Sequence, residues 1–96
     1  MTRKKSPSNH FPKALQSFRV ARRLSQEDFS LVSSRTYVSS LERGIYSPTL
    51  AKVDQLAEVL DVHPLALLTL SYMSDAGHAS MKDLLAQVVE DLSTLK

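Results

Sequence analysis

Ser34-Arg35-Thr36-Tyr37-Val38-Ser39-Ser40-Leu41-Glu42-Arg43-Gly44 is the stretch on which the fold turns. Placed at 100° per residue from Arg35, the apolar set Tyr37, Leu41 and Val38 falls at about 200°, 240° and 300°. Arg35, Ser39, Arg43, Thr36 and Ser40 fall at about 0°, 40°, 80°, 100° and 140°. The spacing predicts a helix from about Ser34 to Arg43 with one inward stripe. Gly44, suited to the left-handed position after a helix, ends it. The outward face holds two arginines and three small hydroxyls, although a helix chosen only for stability would carry Ala, Glu, Lys or Gln there. A helix that enters the major groove needs short side chains near the base edges and arginines that can pair with guanine or grip phosphate. The plainer alternative is a surface helix of incidental composition.

Working outward, every neighbouring segment also reads as helix or turn. Pro12 suits a helix opening, and Phe11, Ala14, Leu15, Phe18 and Ala21 recur at spacings of three and four. Ser25 and Asp28 have capping-box spacing, which predicts a second helix from Ser25 to about Leu31. Ile45 to Thr49 is a loop, and Thr49 caps a fourth helix with Leu50, Val53, Leu56, Ala57 and Leu60 on one face. A fifth starts near Pro64, runs to about Tyr72 and is apolar almost all round, so more than one side of it has to be covered. Asp75 to Ala79 reads as a linker. Ser80 and Asp83 repeat the capping-box spacing before a sixth helix carrying Met81, Leu84, Leu85, Val88, Leu92 and Leu95. With two glycines and no β-branched alternation, the expectation is an all-α chain.

Composition narrows the function classes. A chain of 96 residues suits one domain with at most an appended element, and it buries too little for a deep catalytic cleft. There is no cysteine, hence no disulfide and no thiolate metal site. His10, His63 and His78 fall in the N-terminal stretch, before Pro64 and in the linker, without metal-ligand spacing. No glycine-rich phosphate loop or Ser-His-Asp arrangement on rigid elements is present. The expectation is therefore no enzyme, no metal and no cofactor. No apolar run approaches the ~20 residues of a membrane span, and the start lacks the apolar core of a secretory signal, so a cytoplasmic, nucleoid-associated protein is expected.

The net charge of +2 conceals an asymmetry. Up to Lys52, ten Lys and Arg meet three acids (Glu27, Asp28 and Glu42), a balance of +7. From Val53 onward, Lys82 and Lys96 meet seven acids, a balance of −5. A basic half joined to an acidic half suggests a polyanion-binding face backed by a part with another task. Ordinary surface charge, unevenly spread, is the alternative.

Three blocks in order now carry a family resemblance: Leu24-Ser25-Gln26-Glu27-Asp28-Phe29, then Ser34 to Gly44, then Ser47-Pro48-Thr49-Leu50. Together they resemble the Xre-type, lambda-repressor-like helix-turn-helix family, over about Lys13 to Leu70. The end of the third helix is most similar to restriction–modification controller proteins and phage repressors. The resemblance implies a five-helix domain over residues 11–73, flanked by a basic arm (1–10) and by a linker and C-terminal helix (74–96). It implies that Arg35, Thr36, Ser39 and Ser40 face base edges, and that Gln26, Tyr37 and Arg43 approach phosphates. Tyr37 lies nearer the apolar stripe, so a core role competes with a phosphate role. Glu42 and Arg19 occupy positions that the family pairs structurally. Two departures stand out: Ser30 to Ser33 is about two residues shorter than the usual turn, and Arg23 replaces the glycine that commonly ends the first helix. The first alters the expected tilt between helices; the second puts a non-glycine residue in a left-handed backbone.

Arg3, Lys4 and Lys5 either reach DNA from a mobile arm or form a solubilising end. The sixth helix either folds over the fifth or packs on a second subunit, with Leu84, Leu85, Val88, Leu92 and Leu95 at the interface. The expected function is a transcriptional regulator, repressor or activator, that binds double-stranded DNA as a homodimer. A second reading is an antitoxin-like protein-interaction module that offers the apolar C-terminal helix to another protein.

Overall fold

The computed structural model describes residues 9–73 and 78–95. Five helices and one 3-10 turn follow in order, with no strand among the described residues: α1 (Phe11–Ala21), the 3-10 turn (Gln26–Phe29), α2 (Arg35–Glu42), α3 (Leu50–Leu60), α4 (Pro64–Tyr72) and α5 (His78–Leu92).

Each boundary has a local cause. Pro12 sits in the first turn of α1, and Asn9 Oδ1 accepts the Phe11 N–H at 3.2 Å. The far end of α1 closes as Leu24 N–H bonds the Arg19 carbonyl at 3.0 Å and Arg23 N–H the Val20 carbonyl at 2.9 Å. That closure needs a left-handed residue, and Arg23 supplies it at φ 60. The α2 helix starts on Ser34, whose Oγ accepts Tyr37 N–H at 3.0 Å, and ends on Gly44 at φ 77. Thr49 caps α3 through Lys52 N–H, and His63 Nδ1 caps α4 through Leu65 N–H, both at 3.0 Å.

The expected second helix is absent in that form. Ser25 and Asp28 do make a capping box, with Ser25 N–H donating to Asp28 Oδ2 at 2.6 Å, but it opens a four-residue 3-10 turn. Val32 and Ser33 N–H both fall on the Phe29 carbonyl at 2.9 Å, so the chain tightens where a longer turn would have let an α-helix run on. The C-terminal helix also differs from expectation. It covers His78–Leu92, so Ser80 falls within the helix and Leu95 beyond it. Asp75, Ala76 and Gly77 of the expected linker lie outside the described residues.

The core is one cluster in which Leu15, Phe29, Val38, Leu41, Leu56, Leu60 and Leu67 are fully buried. Phe29, the single buried residue of the 3-10 turn, ties that short element to the rest. The apolar α4 is covered on three sides, by α1, α3 and α5. Its one buried hydroxyl, Ser71 Oγ, donates to the Leu67 carbonyl at 2.7 Å, so the core holds no unpaired polar side chain among the described residues. The Ser71 carbonyl accepts His10 N–H at 2.6 Å, which ties the approach to α1 to the end of α4. Along α5, Met81 and Leu84 are half-buried, whereas Leu85, Val88, Val89 and Leu92 are exposed. Among the described residues no helix is long and apolar enough to cross a membrane.

Candidate nucleic-acid interface

The α2 helix divides its side chains by angle. Val38 and Leu41 go fully into the core, Tyr37 is half-buried, and Arg35, Thr36 and Arg43 are exposed, with Ser39 half-exposed. Ser40 does not join that outer face. It is 7 % exposed, and its carbonyl accepts Ile45 N–H at 3.0 Å as the chain doubles back past Gly44. The buried arc of α2 thus reaches back from Val38 as far as Ser40. Ser40, expected to face base edges, is thus covered by its own chain, and Arg35, Thr36 and Ser39 make up the outward set.

Behind this face lies a buried polar clamp. Arg19 Nε and Nη2 donate to the two Glu42 oxygens at 2.6 and 3.0 Å, and Arg19 Nη1 donates to the Leu24 carbonyl at 2.9 Å. Gln26 Nε2 donates to Glu42 Oε1 at 3.1 Å. The side chains of Arg19 and Glu42 are only 15 % and 4 % exposed, so the carboxylate's charge is met by a paired cation and a third donor rather than by water. The hydrogen bonds that Arg19 donates to Glu42 hold its guanidinium above its ordinary pKa; burial opposes this and the attraction of opposite charges adds to it. The clamp joins the end of α1, the start of the 3-10 turn and the last residue of α2, the three elements whose mutual angle aims the outer face.

Gln26 contributes from its position at the head of the turn. One of its two amide N–H groups serves Glu42, and the other, on a half-exposed side chain, has no partner among the described residues. Gln26 and Arg35 line one shallow depression together with Arg19, Ser25 and Glu27. Arg19–Glu42 is the only ion pair among the described residues, so within them Arg35 and Arg43 present uncompensated positive charge. Arg3, Lys4 and Lys5 lie outside the described residues.

Sequence reasoning missed Lys52. Its Nζ donates to the Val32 carbonyl at 2.6 Å and stands 5.8 Å from the centre of the Tyr37 ring. Tyr37 in turn stacks on Tyr46, centres 5.8 Å apart and planes 24° apart. The only sequence-level hint was the shortened turn, whose carbonyls need partners from elsewhere.

A helix-turn-helix family model matches residues 15–67, more than half of the chain. Comparison with curated proteins and with solved structures yields no match. The matched span runs from Leu15 in α1 to Leu67 in α4 and contains the clamp, the turn and α2. The chain belongs to the Xre-type, lambda-repressor-like helix-turn-helix family of DNA-binding regulators.

Proposed function

We propose that this protein is a sequence-specific transcriptional regulator that reads an operator through the major groove as a homodimer, repressing or activating according to operator position. The carrying observation is the outer face of α2: Arg35, Thr36 and Ser39 stand outward on a helix whose last turn is clamped from behind by Arg19, Glu42 and Gln26. In this reading Arg35 pairs with base acceptors while Thr36 and Ser39 allow close approach. Gln26, through its second amide N–H, and Arg43 grip phosphates, which set the register, and the Tyr37 hydroxyl joins them at the edge of the core. Arg3, Lys4 and Lys5 add backbone or minor-groove contacts from the arm.

The dimer assignment draws on α5. Leu85, Val88 and Leu92 on α5, with Leu95 just beyond it, are between 42 % and 71 % exposed, apolar side chains that a second subunit would cover. Leu84 is half-buried within its own chain and so offers less of its surface to a second subunit. Two half-sites read together bind far more tightly than one. The same stripe supports a second reading, an antitoxin-like module that offers α5 to a different protein.

Selection of duplexes from a random-sequence library, followed by footprinting, tests the regulator reading. An inverted repeat with half-sites about one helical turn apart is expected. A protein that enriches no sequence is not such a reader. Sedimentation of the purified chain separates the two uses of α5: a dimer supports self-association, and a monomer that copurifies with a stoichiometric partner from its host supports the second reading.

A further inference from the structure

The turn before α2 poses a local problem that Lys52 solves. Four residues, Ser30 to Ser33, connect Phe29 to the Ser34 cap. Within them the N–H groups of Val32 and Ser33 share one acceptor, the Phe29 carbonyl, and Ser34 is extended at φ −72, ψ 155. The extended cap breaks the helical pattern, so no amide of α2 bonds back to Val32. Val32 is half-buried, and a half-buried carbonyl without a partner is costly. Lys52 Nζ meets it at 2.6 Å.

The same ammonium faces the Tyr37 ring, one turn into α2, and the Tyr37 ring is stacked on Tyr46 beyond Gly44. A cation held against an aromatic face and a carbonyl together is fixed in both direction and depth. Lys52 is itself fixed, because its own N–H is bound by the Thr49 cap in the first turn of α3. One side chain therefore ties α3 to the turn ahead of α2, to α2 itself and to the loop behind it. The buried clamp at Glu42 holds the C-terminal end of α2; Lys52 holds the N-terminal end, where Arg35 and Thr36 sit.

We propose that Lys52 is the positioning residue that sets the approach of α2 to DNA, bracing the tight turn ahead of it, and that it does so without touching DNA. The inference rests on the groove-reading assignment above. A lysine in the basic half would otherwise be read as one more phosphate contact, and the two roles differ in what they predict.

The test uses the full chain, a duplex enriched from a random library, and an unrelated duplex of equal length. For Lys52→Met, affinity for the enriched duplex is expected to fall roughly tenfold, in line with loss of a charge-assisted hydrogen bond. Affinity for the unrelated duplex, and the dependence on salt between about 50 and 200 mM, are expected to stay as in wild type, since no phosphate contact is lost. The near-ultraviolet circular dichroism of the tyrosines is expected to change in the free protein, and Lys52→Arg, which retains a donor and the positive charge, is expected to restore most of both signals. A salt slope lowered by about one, with both duplexes weakened alike and the tyrosine signal unchanged, would make Lys52 a phosphate contact and overturn the proposal. Wild-type affinity in Lys52→Met overturns it too.

Acetylation of lysines in the wild-type protein, read by mass spectrometry, covers the case in which Lys52→Met does not fold. Lys52 slow to react equally in free and DNA-bound protein supports the proposal. Lys52 reactive when free and protected only by DNA refutes it. If no duplex is enriched, the groove-reading assignment falls, while the tyrosine signal and the free-protein reactivity still decide whether Lys52 pins the turn.

Discussion

Glu42→Ala is the substitution that most directly tests how the interface is held. In the native protein Glu42, 4 % exposed, accepts two bonds from Arg19 and one from Gln26. Truncation leaves the Arg19 guanidinium, 15 % exposed, with only the Leu24 carbonyl, and leaves one Gln26 N–H without its acceptor. Breaking a buried ion pair by removing one partner costs about 3–5 kcal/mol. Against a total stability of about 5–15 kcal/mol for a domain, that is about a fifth or more of what holds the fold. At roughly 4–8 °C per kcal/mol for a domain of this size, the melting temperature is expected to drop by about 12 °C or more. Urea unfolding followed by far-ultraviolet circular dichroism measures the cost, and a double-mutant cycle with Arg19→Met and Glu42→Leu apportions it. The double variant is expected to recover much of the loss, since an apolar pair of similar volume replaces a buried ion pair at little cost. Because the folded-state pKa of Arg19 is raised, the stability it contributes is present at all pH values below its ordinary value and is lost only as pH climbs through the raised one. No loss from this pair is therefore expected between neutral and moderately alkaline pH. A cost below about 1 kcal/mol for Glu42→Ala, the range of a surface bridge, would refute the clamp, as would a double variant no better than the worse single one.

Other perturbations address the outer face and the flanks. Arg35→Ala is expected to cost about 1–3 kcal/mol in operator binding and to relax preference at one base position, as selection from a degenerate half-site would reveal. Arg43→Ala is expected to weaken all duplexes alike and lower the salt slope by about one, measured by titration at several salt concentrations. Arg23→Gly relieves a left-handed backbone at φ 60 and is expected to gain about 1 kcal/mol by chemical denaturation; a loss would mean that the Arg23 side chain contributes more than its backbone costs. Leu92→Asp places a charge on the exposed stripe of α5 and is expected to yield a monomer in sedimentation if the proposed dimer uses that stripe, while changing the stability of the single-chain fold by no more than about 0.5 kcal/mol.

Much of this architecture is readable along the chain, for reasons particular to the residues. Pro12, Ser34, Gly44, Thr49 and Pro64 are strong local signals whose effects do not depend on distant contacts, and the helices they delimit lie where they point. The left-handed turn at Arg23 is also legible, because a closing geometry is needed there whatever residue occupies it. The 3-10 turn is not legible. Ser25 and Asp28 begin an α-helix and a 3-10 turn equally well, and only the tight return of Val32 and Ser33 onto the Phe29 carbonyl decides between them. Ser40 stands at the margin of the helical arc, about 60° from Tyr37. Whether such a residue is covered depends on the path of the chain beyond Gly44, which angles on one helix do not contain. Lys52 and the Val32 carbonyl, 20 residues apart, meet through tertiary packing alone, and periodicity is blind to a lysine that bonds inward. In α5, His78 and Ala79 carry no breaker and are helical, so the capping sequence at Ser80 lies within the helix and does not open it.

The bond from His10 to the Ser71 carbonyl brings the two ends of the DNA-binding fold side by side. Topologically the domain is close to a closed loop of chain, and its entry and exit could be bridged by a short linker and reopened elsewhere, for instance in the exposed stretch at Ile45 to Ser47. It follows too that tension on the residues ahead of α1 and tension on the segment beyond α4 are both borne at one small junction. A load applied to either end passes between α1 and α4 without crossing the helix that carries Arg35, so attachments at the termini can be pulled, swapped or extended while α2 keeps its place.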